Sequence, residues 1–208
     1  MIRLYDYLPS GNGYKVRLLL TQLQIPFERI ELDIIQGKTR TPEFLSRFPN
    51  GRVPAVEFED GRRLFESNAI LWHFAEGTHF LPSDAFERAK ALQWMFFEQY
   101  SHEPYIAVSR FLAMYPDRQD DRRAGLSRIM KNGQDALAVM ESHLSGACAG
   151  DHACDFFVGG KYSIADITLY AYTHVAHEGG FDLARYPAIR RWLDRIKSQP
   201  RHIPITHS

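Results

Sequence analysis

The segment Asn50-Gly51-Arg52-Val53-Pro54-Ala55-Val56 restricts the fold more than any other stretch of the chain. Pro54 has no N–H and a fixed φ, so it cannot lie inside a central strand. It can stand where a strand begins, between the Asn50-Gly51 turn signal and the apolar Ala55-Val56. An X-Pro bond is also the one peptide bond that takes the cis form at small cost. A cis Val53-Pro54 bond would turn the backbone N–H and C=O of Val53 outward, where an extended peptide pairs with them by strand addition. Glu66-Ser67 then offer a carboxylate and a hydroxyl where a strand runs into a helix, and a helix start suits an α-carboxylate. Together these residues point to a site for a small, charged, peptide-like ligand.

The surrounding pattern gives the organisation. Met1–Tyr7 reads as a strand, Pro9–Gly13 as a loop, and Tyr14–Leu23 as a helix through Val16, Leu19, Leu20 and Leu23. Phe27–Leu32 reads as a strand, Gly37–Thr41 as a polar loop and Pro42–Arg47 as a short helix. Ala55–Phe58 and Arg63–Phe65 form a hairpin around Asp60-Gly61, and Ser67–Ala75 is a helix. The order β-α-β-α-β-β-α is that of a thioredoxin-like fold, assigned to residues 1–80. Leu81-Pro82-Ser83-Asp84 breaks the pattern, so residues 81–86 are a linker. Residues 87–208 read as an all-α domain. Asp84 and Glu87 suit a capping box for a helix running to about Tyr115, with a kink at Pro104. Trp94, Phe97 and Tyr100 or Ser101 lie at core spacing on it. Further helices are expected at Arg122–Leu144, Ser163–His177 and Pro187–Gln199, with a loop at Gly146–Asp155.

Composition narrows the function. Lys+Arg and Asp+Glu are equal at 25 each, so net charge offers no hold on nucleic acid or an anionic membrane. No segment approaches a membrane span in length and apolarity, and the start of the chain, with Arg3 and Asp6, does not read as a signal peptide. The cytoplasm is the expected compartment. Cys148 and Cys154 match neither a zinc knuckle nor Cys-x-x-Cys. They are read as two thiols, with a local disulfide as the alternative. His174 and His177 lie three apart on one helix, but a site needs more ligands and no Glu stands in a His-Glu-x-x-His frame, so no metal is expected.

The loop Ser10-Gly11-Asn12-Gly13 opens the first helix. Thioredoxins and glutaredoxins place Cys-x-x-Cys there, because a helix N-terminus lowers a thiol pKa. This chain has no thiol at that point and cannot run dithiol exchange from its own residues. A hydroxyl and an amide beside a positive helix end suit a thiolate that a ligand brings.

Four features in this order, Ser10 to Arg17, Asn50 to Pro54, Phe65 to Ile70 and Ser163-Ile164-Ala165-Asp166, make the chain resemble the glutathione S-transferase superfamily over nearly all 208 residues. The Ser-Gly-Asn-Gly loop is similar to that of a bacterial, nu-like subgroup with Thr-x-Asn-Gly there. The resemblance implies that glutathione is a co-substrate and no other cofactor is needed. It assigns the thiolate to Ser10 first and Asn12 second, with Tyr5 or Tyr7 as alternative donors out of the usual register. Glu66 and Ser67 would take the γ-glutamyl end, Val53 beside Pro54 the cysteinyl backbone, and Arg52, Lys38 or Arg40 the glycyl carboxylate. Tyr100, His102, Tyr105 and Arg110 are the candidates for the pocket of a small hydrophobic electrophile. Ser163 to Asp166 would be a helix cap, so Asp166→Ala should destabilise rather than inactivate. The implied activity is attack of glutathione thiolate on an electrophile in detoxification, by a homodimer. Glutathione-dependent reduction of a disulfide or peroxide is an alternative. So is a glutathione-using isomerase or dehalogenase, or a non-catalytic binding protein of the same fold.

Overall fold

The computed structural model describes residues 1–118, 120–146 and 154–207. Cys148, and most of the loop expected at Gly146–Asp155, lie outside the described residues. Two compact units are present: Met1–Thr78 with the tail from Pro200, and His79–Gln199.

The first unit is a sheet of four strands, β1 (Ile2–Asp6), β2 (Phe27–Glu31), β3 (Ala55–Glu57) and β4 (Arg63–Phe65). The order is β2-β1-β3-β4, with β1 parallel to β2 and antiparallel to β3. Alternation along β1 sends neighbouring side chains to opposite faces. Leu4 packs with Val16, Leu20, Val56 and Ile70, which come partly from α1 (Gly11–Gln22) and α3 (Ser67–Ala75). Tyr5 packs on the other face with Phe44 and Phe48, on and just after α2 (Pro42–Arg47). This is the mixed, helix-covered sheet of the thioredoxin-like class.

Asp6 shares the Leu4 face and is buried at the end of β1, against α1. Burial raises its pKa, and Arg17 opposes that rise. Arg17 Nε meets Asp6 Oδ2 at 2.8 Å, with both side chains buried. The other guanidinium nitrogens donate to the carbonyls of Leu8, Ile205 and His207. Tyr14 Oη donates to Ile203 O at 2.7 Å. Residues 200–207 therefore lie on α1 and group with the first unit, not with the helical domain of residues 87–208 that sequence adjacency suggested. Side-chain donors meeting carbonyls in an irregular segment leave no periodic trace in sequence.

The second unit carries α4 (Ala85–Phe97), α5 (Glu103–Met114), α6 (Leu126–Leu144), α7 (Ile164–Thr173) and α8 (Pro187–Lys197). Asp84 caps α4 through the N–H groups of Phe86 and Glu87. The expected kink at Pro104 is a π turn at Glu98–His102. Pro104 has no N–H to donate, and just before it Glu103 N–H reaches back to Glu98 O, an i→i−5 bond. Glu141 of α6 accepts from the N–H groups of Ala188 and Ile189, so α8 starts on a carboxylate from another helix.

Ser163 and Asp166 form a complete capping box. Asp166 Oδ2 accepts from Ser163 N and Oγ, and Oδ1 from Phe157 N and Trp192 Nε1. Burial pushes the Asp166 carboxyl up from 3.8 to about 6, against the pull of these hydrogen bonds. A carboxyl raised on folding contributes stability that is full below its unfolded pKa and is lost as pH rises through the folded value.

Two outcomes are expected. Arg17→Met leaves Asp6 buried without its cation, costs about 3–5 kcal/mol, and speeds amide hydrogen exchange across residues 202–207. In urea unfolding, the advantage of wild type over Asp166→Asn shrinks by about 3 kcal/mol between about pH 3 and 7, from roughly two pKa units at about 1.4 kcal/mol each.

Candidate functional site

Helix α1 begins earlier than the loop Pro9–Gly13 suggested: Ser10 is its N-cap and residues 11–13 are its first turn. Ser10 Oγ accepts from Gly13 N at 3.2 Å. That bond uses a lone pair of the hydroxyl and leaves its hydrogen as a donor. A Cβ at position 13 would lie 1.5 Å from Asp6 Oδ1, so only glycine lets α1 start directly over that carboxylate. Asn12 is half-buried and its Oδ1 faces Lys15 Nζ at 2.7 Å and Ser67 Oγ at 3.2 Å.

The Val53-Pro54 bond is cis. Pro54 is buried, while Val53 is half-buried at the start of β3. The turn before it depends on Gly51, whose φ of 60 is left-handed and where a Cβ would meet Arg40 Nη1 at 2.6 Å. Arg40 Nη1 also donates to Asn50 O at 3.2 Å, so Arg40 braces the turn. Lys38 and Arg52 are exposed.

Glu66 joins β4 to α3 with φ 71 and ψ 111. A non-glycine residue there costs of order 1–3 kcal/mol, and such strain gathers at functional positions. Its Oε1 accepts from Asn50 Nδ2 at 2.8 Å, which ties the β3 turn to the start of α3. Ser67 is buried as the first residue of that helix.

Ser10, Asn12, Glu66 and Ser67 thus stand at the starts of two helices of one unit. Asn12 and Ser67 are in direct contact, and the turn before Pro54 reaches Glu66 through Asn50. Two partners escaped the sequence reading. Asn50 was visible only as a turn residue. Lys15 follows Asn12 by three positions, one turn along the same helix face, and that spacing was its available signal.

Other candidates fall elsewhere. Tyr5 is buried on the α2 face, opposite Leu4, where its hydroxyl accepts from Arg47 Nη1 at 2.7 Å and Arg47 covers its ring. Tyr7 lies just beyond β1, half-buried. The four electrophile-pocket candidates do not share one environment. Tyr100 is 83% exposed, whereas His102 is 0% exposed and meets Thr173 Oγ1 at 2.9 Å. Arg110 is buried in an ion pair with Glu178 at 2.6 Å, and Tyr105 is half-buried. His102 and Arg110 are thus buried and partnered inside the helical unit. The π turn shifts the helix phase and sends them inward. A cleft of about 190 Å³ in the same unit is lined by His79, Asp84, Glu87, Lys161 and Tyr162 among others, and holds none of the expected site residues. Among the described residues no group of three or more His, Cys, Asp or Glu side chains is placed to hold a metal ion. Nor is any helix long and apolar enough to cross a membrane.

Residues 1–76 match the glutathione S-transferase N-terminal domain, and residues 123–195 the glutathione S-transferase C-terminal domain. The chain belongs to the glutathione S-transferase family. Its likeness to a crystal structure of a glutathione S-transferase from Pseudomonas fluorescens is 50% identity with a TM-score of 0.92, over 99% of each chain. The Disulfide-bond oxidoreductase YfcG of Escherichia coli is 31% identical over 207 residues, which span 96% of this chain and 92% of that protein. Ure2p in complex with glutathione matches at 25% identity and TM-score 0.83, over 96% of each chain.

In this glutathione S-transferase family chain, Gly13→Ala is expected to push the first turn of α1 away from Asp6. Stability should fall by about 1–3 kcal/mol in urea unfolding, while Gly61→Ala, where a Cβ meets nothing within 4 Å but φ is +82, serves as the control for backbone strain alone.

Proposed function

We propose that this chain is a glutathione transferase that binds glutathione on its thioredoxin-like unit and activates the thiol as thiolate. The observation that carries the reading is the placement of Ser10 and Asn12 at the start of α1, with no thiol of the protein's own at that helix end. A hydroxyl hydrogen, an amide and the positive end of a twelve-residue helix stabilise an anion there. A stabilised thiolate is more abundant at neutral pH and is the nucleophile. It attacks an electrophilic carbon of a small hydrophobic compound; the new C–S bond forms as the leaving group departs with its electron pair. Glu66 would hold the γ-glutamyl ammonium, the α3 N-terminus at Ser67 its carboxylate, and the backbone of Val53 the cysteinyl amide. Lys38, Arg40 and Arg52 would face the glycyl carboxylate. No cofactor beyond glutathione is needed. Detoxification, a cytoplasmic location and a homodimer belong to the same reading.

One observation favours a second reading, reduction of disulfides. Asn12 follows Ser10 in the loop, and the chain resembles a protein named as a disulfide-bond oxidoreductase. One glutathione thiolate would attack a disulfide and expel a thiolate. A second would then attack the mixed disulfide, giving oxidised glutathione and the other thiolate.

The test is the pKa of bound glutathione, read by thiolate absorbance in wild type, Ser10→Ala and Asn12→Ala. Wild type is expected to lower it, and loss of the dominant donor to return it toward the ordinary thiol value of about 8.5. Bound glutathione with an unshifted thiol would sink the activation mechanism and leave a binding protein. Turnover with an aryl halide against a mixed disulfide of glutathione then separates the two chemistries.

A further inference from the structure

Lys15 has no exposed surface, although lysine is almost never fully buried unless its ammonium is paired. Its Nζ lies 2.7 Å from Asn12 Oδ1 and 3.4 Å from Ser67 Oγ, and Ser67 Oγ lies 3.2 Å from the same Asn12 oxygen. An ammonium has three donors and no acceptor. The Asn12 atom beside it must therefore be the carbonyl oxygen, which settles the orientation of an amide that is otherwise free to flip. Ser67 Oγ accepts from Lys15, and its hydrogen goes to Asn12 Oδ1. Asn12 Nδ2 is thereby held on the side away from Lys15 and Ser67.

The geometry points to Lys15 as a positioning residue for thiol activation, fixing Asn12 so that its amide N–H groups are what it offers to a bound thiolate, and placing a buried positive charge one turn below. This rests on the reading that glutathione binds with its sulfur at Ser10 and Asn12. Lys15 neither contacts the reacting atoms nor takes the thiol proton, which leaves to solvent. Two effects add. An asparagine held in one orientation presents a donor rather than an oxygen to the anion. A cation in a poorly solvated place favours the charged form of an acid near it. Because the same ammonium holds Ser67, where the γ-glutamyl carboxylate is expected, one side chain organises both the thiol and the γ-glutamyl end of the ligand.

The experiment measures the bound glutathione thiol pKa in wild type, Lys15→Met and Lys15→Arg, each also in the Asn12→Ala background, with urea unfolding of every variant. Lys15→Met is expected to raise the thiol pKa by about one unit, a roughly tenfold loss of thiolate at neutral pH, while Lys15→Arg keeps most of the wild-type value. Without Asn12 the effect of Lys15→Met should be smaller, because coupled residues are non-additive. A purely structural lysine would change unfolding and leave the thiol alone. A folded Lys15→Met that binds glutathione with the wild-type thiol pKa overturns the inference by itself. An unshifted thiol on wild type overturns the transferase reading and this inference with it. If Lys15→Met does not fold, the wild-type protein decides. The Asn12 side-chain amide protons, assigned with Asn12→Ala, should move more with glutathione thiolate than with S-methylglutathione, and equal movement overturns the inference.

Discussion

The buried pair of Asp6 and Arg17 sets the geometry on which the first unit depends. The alternation of β1 turns Asp6 toward α1, and a carboxylate with no water around it requires a cation. Arg17 supplies it from about one turn beyond Gly13 on that helix. That choice has two results. The first turn of α1 must run close above the carboxylate, where only Gly13 fits. The remaining guanidinium donors point to the carbonyls of Ile205 and His207, which holds the tail on the helix. The position of Ser10 and Asn12 is thus fixed from below, by a buried ion pair and a glycine.

On that base the proposed site has two helix starts and no cysteine. Ser10 opens α1 and Glu66-Ser67 open α3, so two partial positive ends lie in one unit. Lys15 adds a full charge between them, in contact with both Asn12 and Ser67. The acidic side chain at the site, Glu66, stands at the outer edge, exposed. A ligand with an anionic sulfur, an α-carboxylate and an ammonium matches that distribution of charge, and glutathione has all three.

The first unit was largely legible in sequence because its constraints are local. The Asn50-Gly51 turn, Pro54, the Asp60-Gly61 hairpin and the Pro42–Arg47 helix each declare themselves by backbone chemistry, and α2 and α3 begin and end where expected. The long-range constraints were not legible. Nothing local says that Asp6 sits under Gly13, that Arg17 collects tail carbonyls, or that Tyr5 turns toward Arg47. In the second unit the obstacle was phase. An uninterrupted helix of about 3.6 residues per turn makes Trp94, Phe97 and Tyr100 one face. The π turn widens the helix so that Trp94, Glu98, His102 and Ile106 point inward and Tyr100 points out. The candidates drawn from that helix therefore do not share one face, whereas the Ser163 to Asp166 box, a local signal, is formed.

The bond between Asn50 and Glu66 bears on how fast and how tightly a ligand is held. A free glutamate samples many rotamers, and fixing one on binding costs up to about 2 kcal/mol. Here the backbone of Glu66 is held at φ 71 and one carboxylate oxygen accepts from the Asn50 amide, so part of that ordering is in place before any ligand arrives. Its second oxygen can receive an ammonium without a search. On the proposed assignment of Glu66 to the γ-glutamyl ammonium, association at this end depends on encounter and desolvation more than on rearrangement, and differences in affinity among ligands sharing that ammonium arise in how quickly they leave.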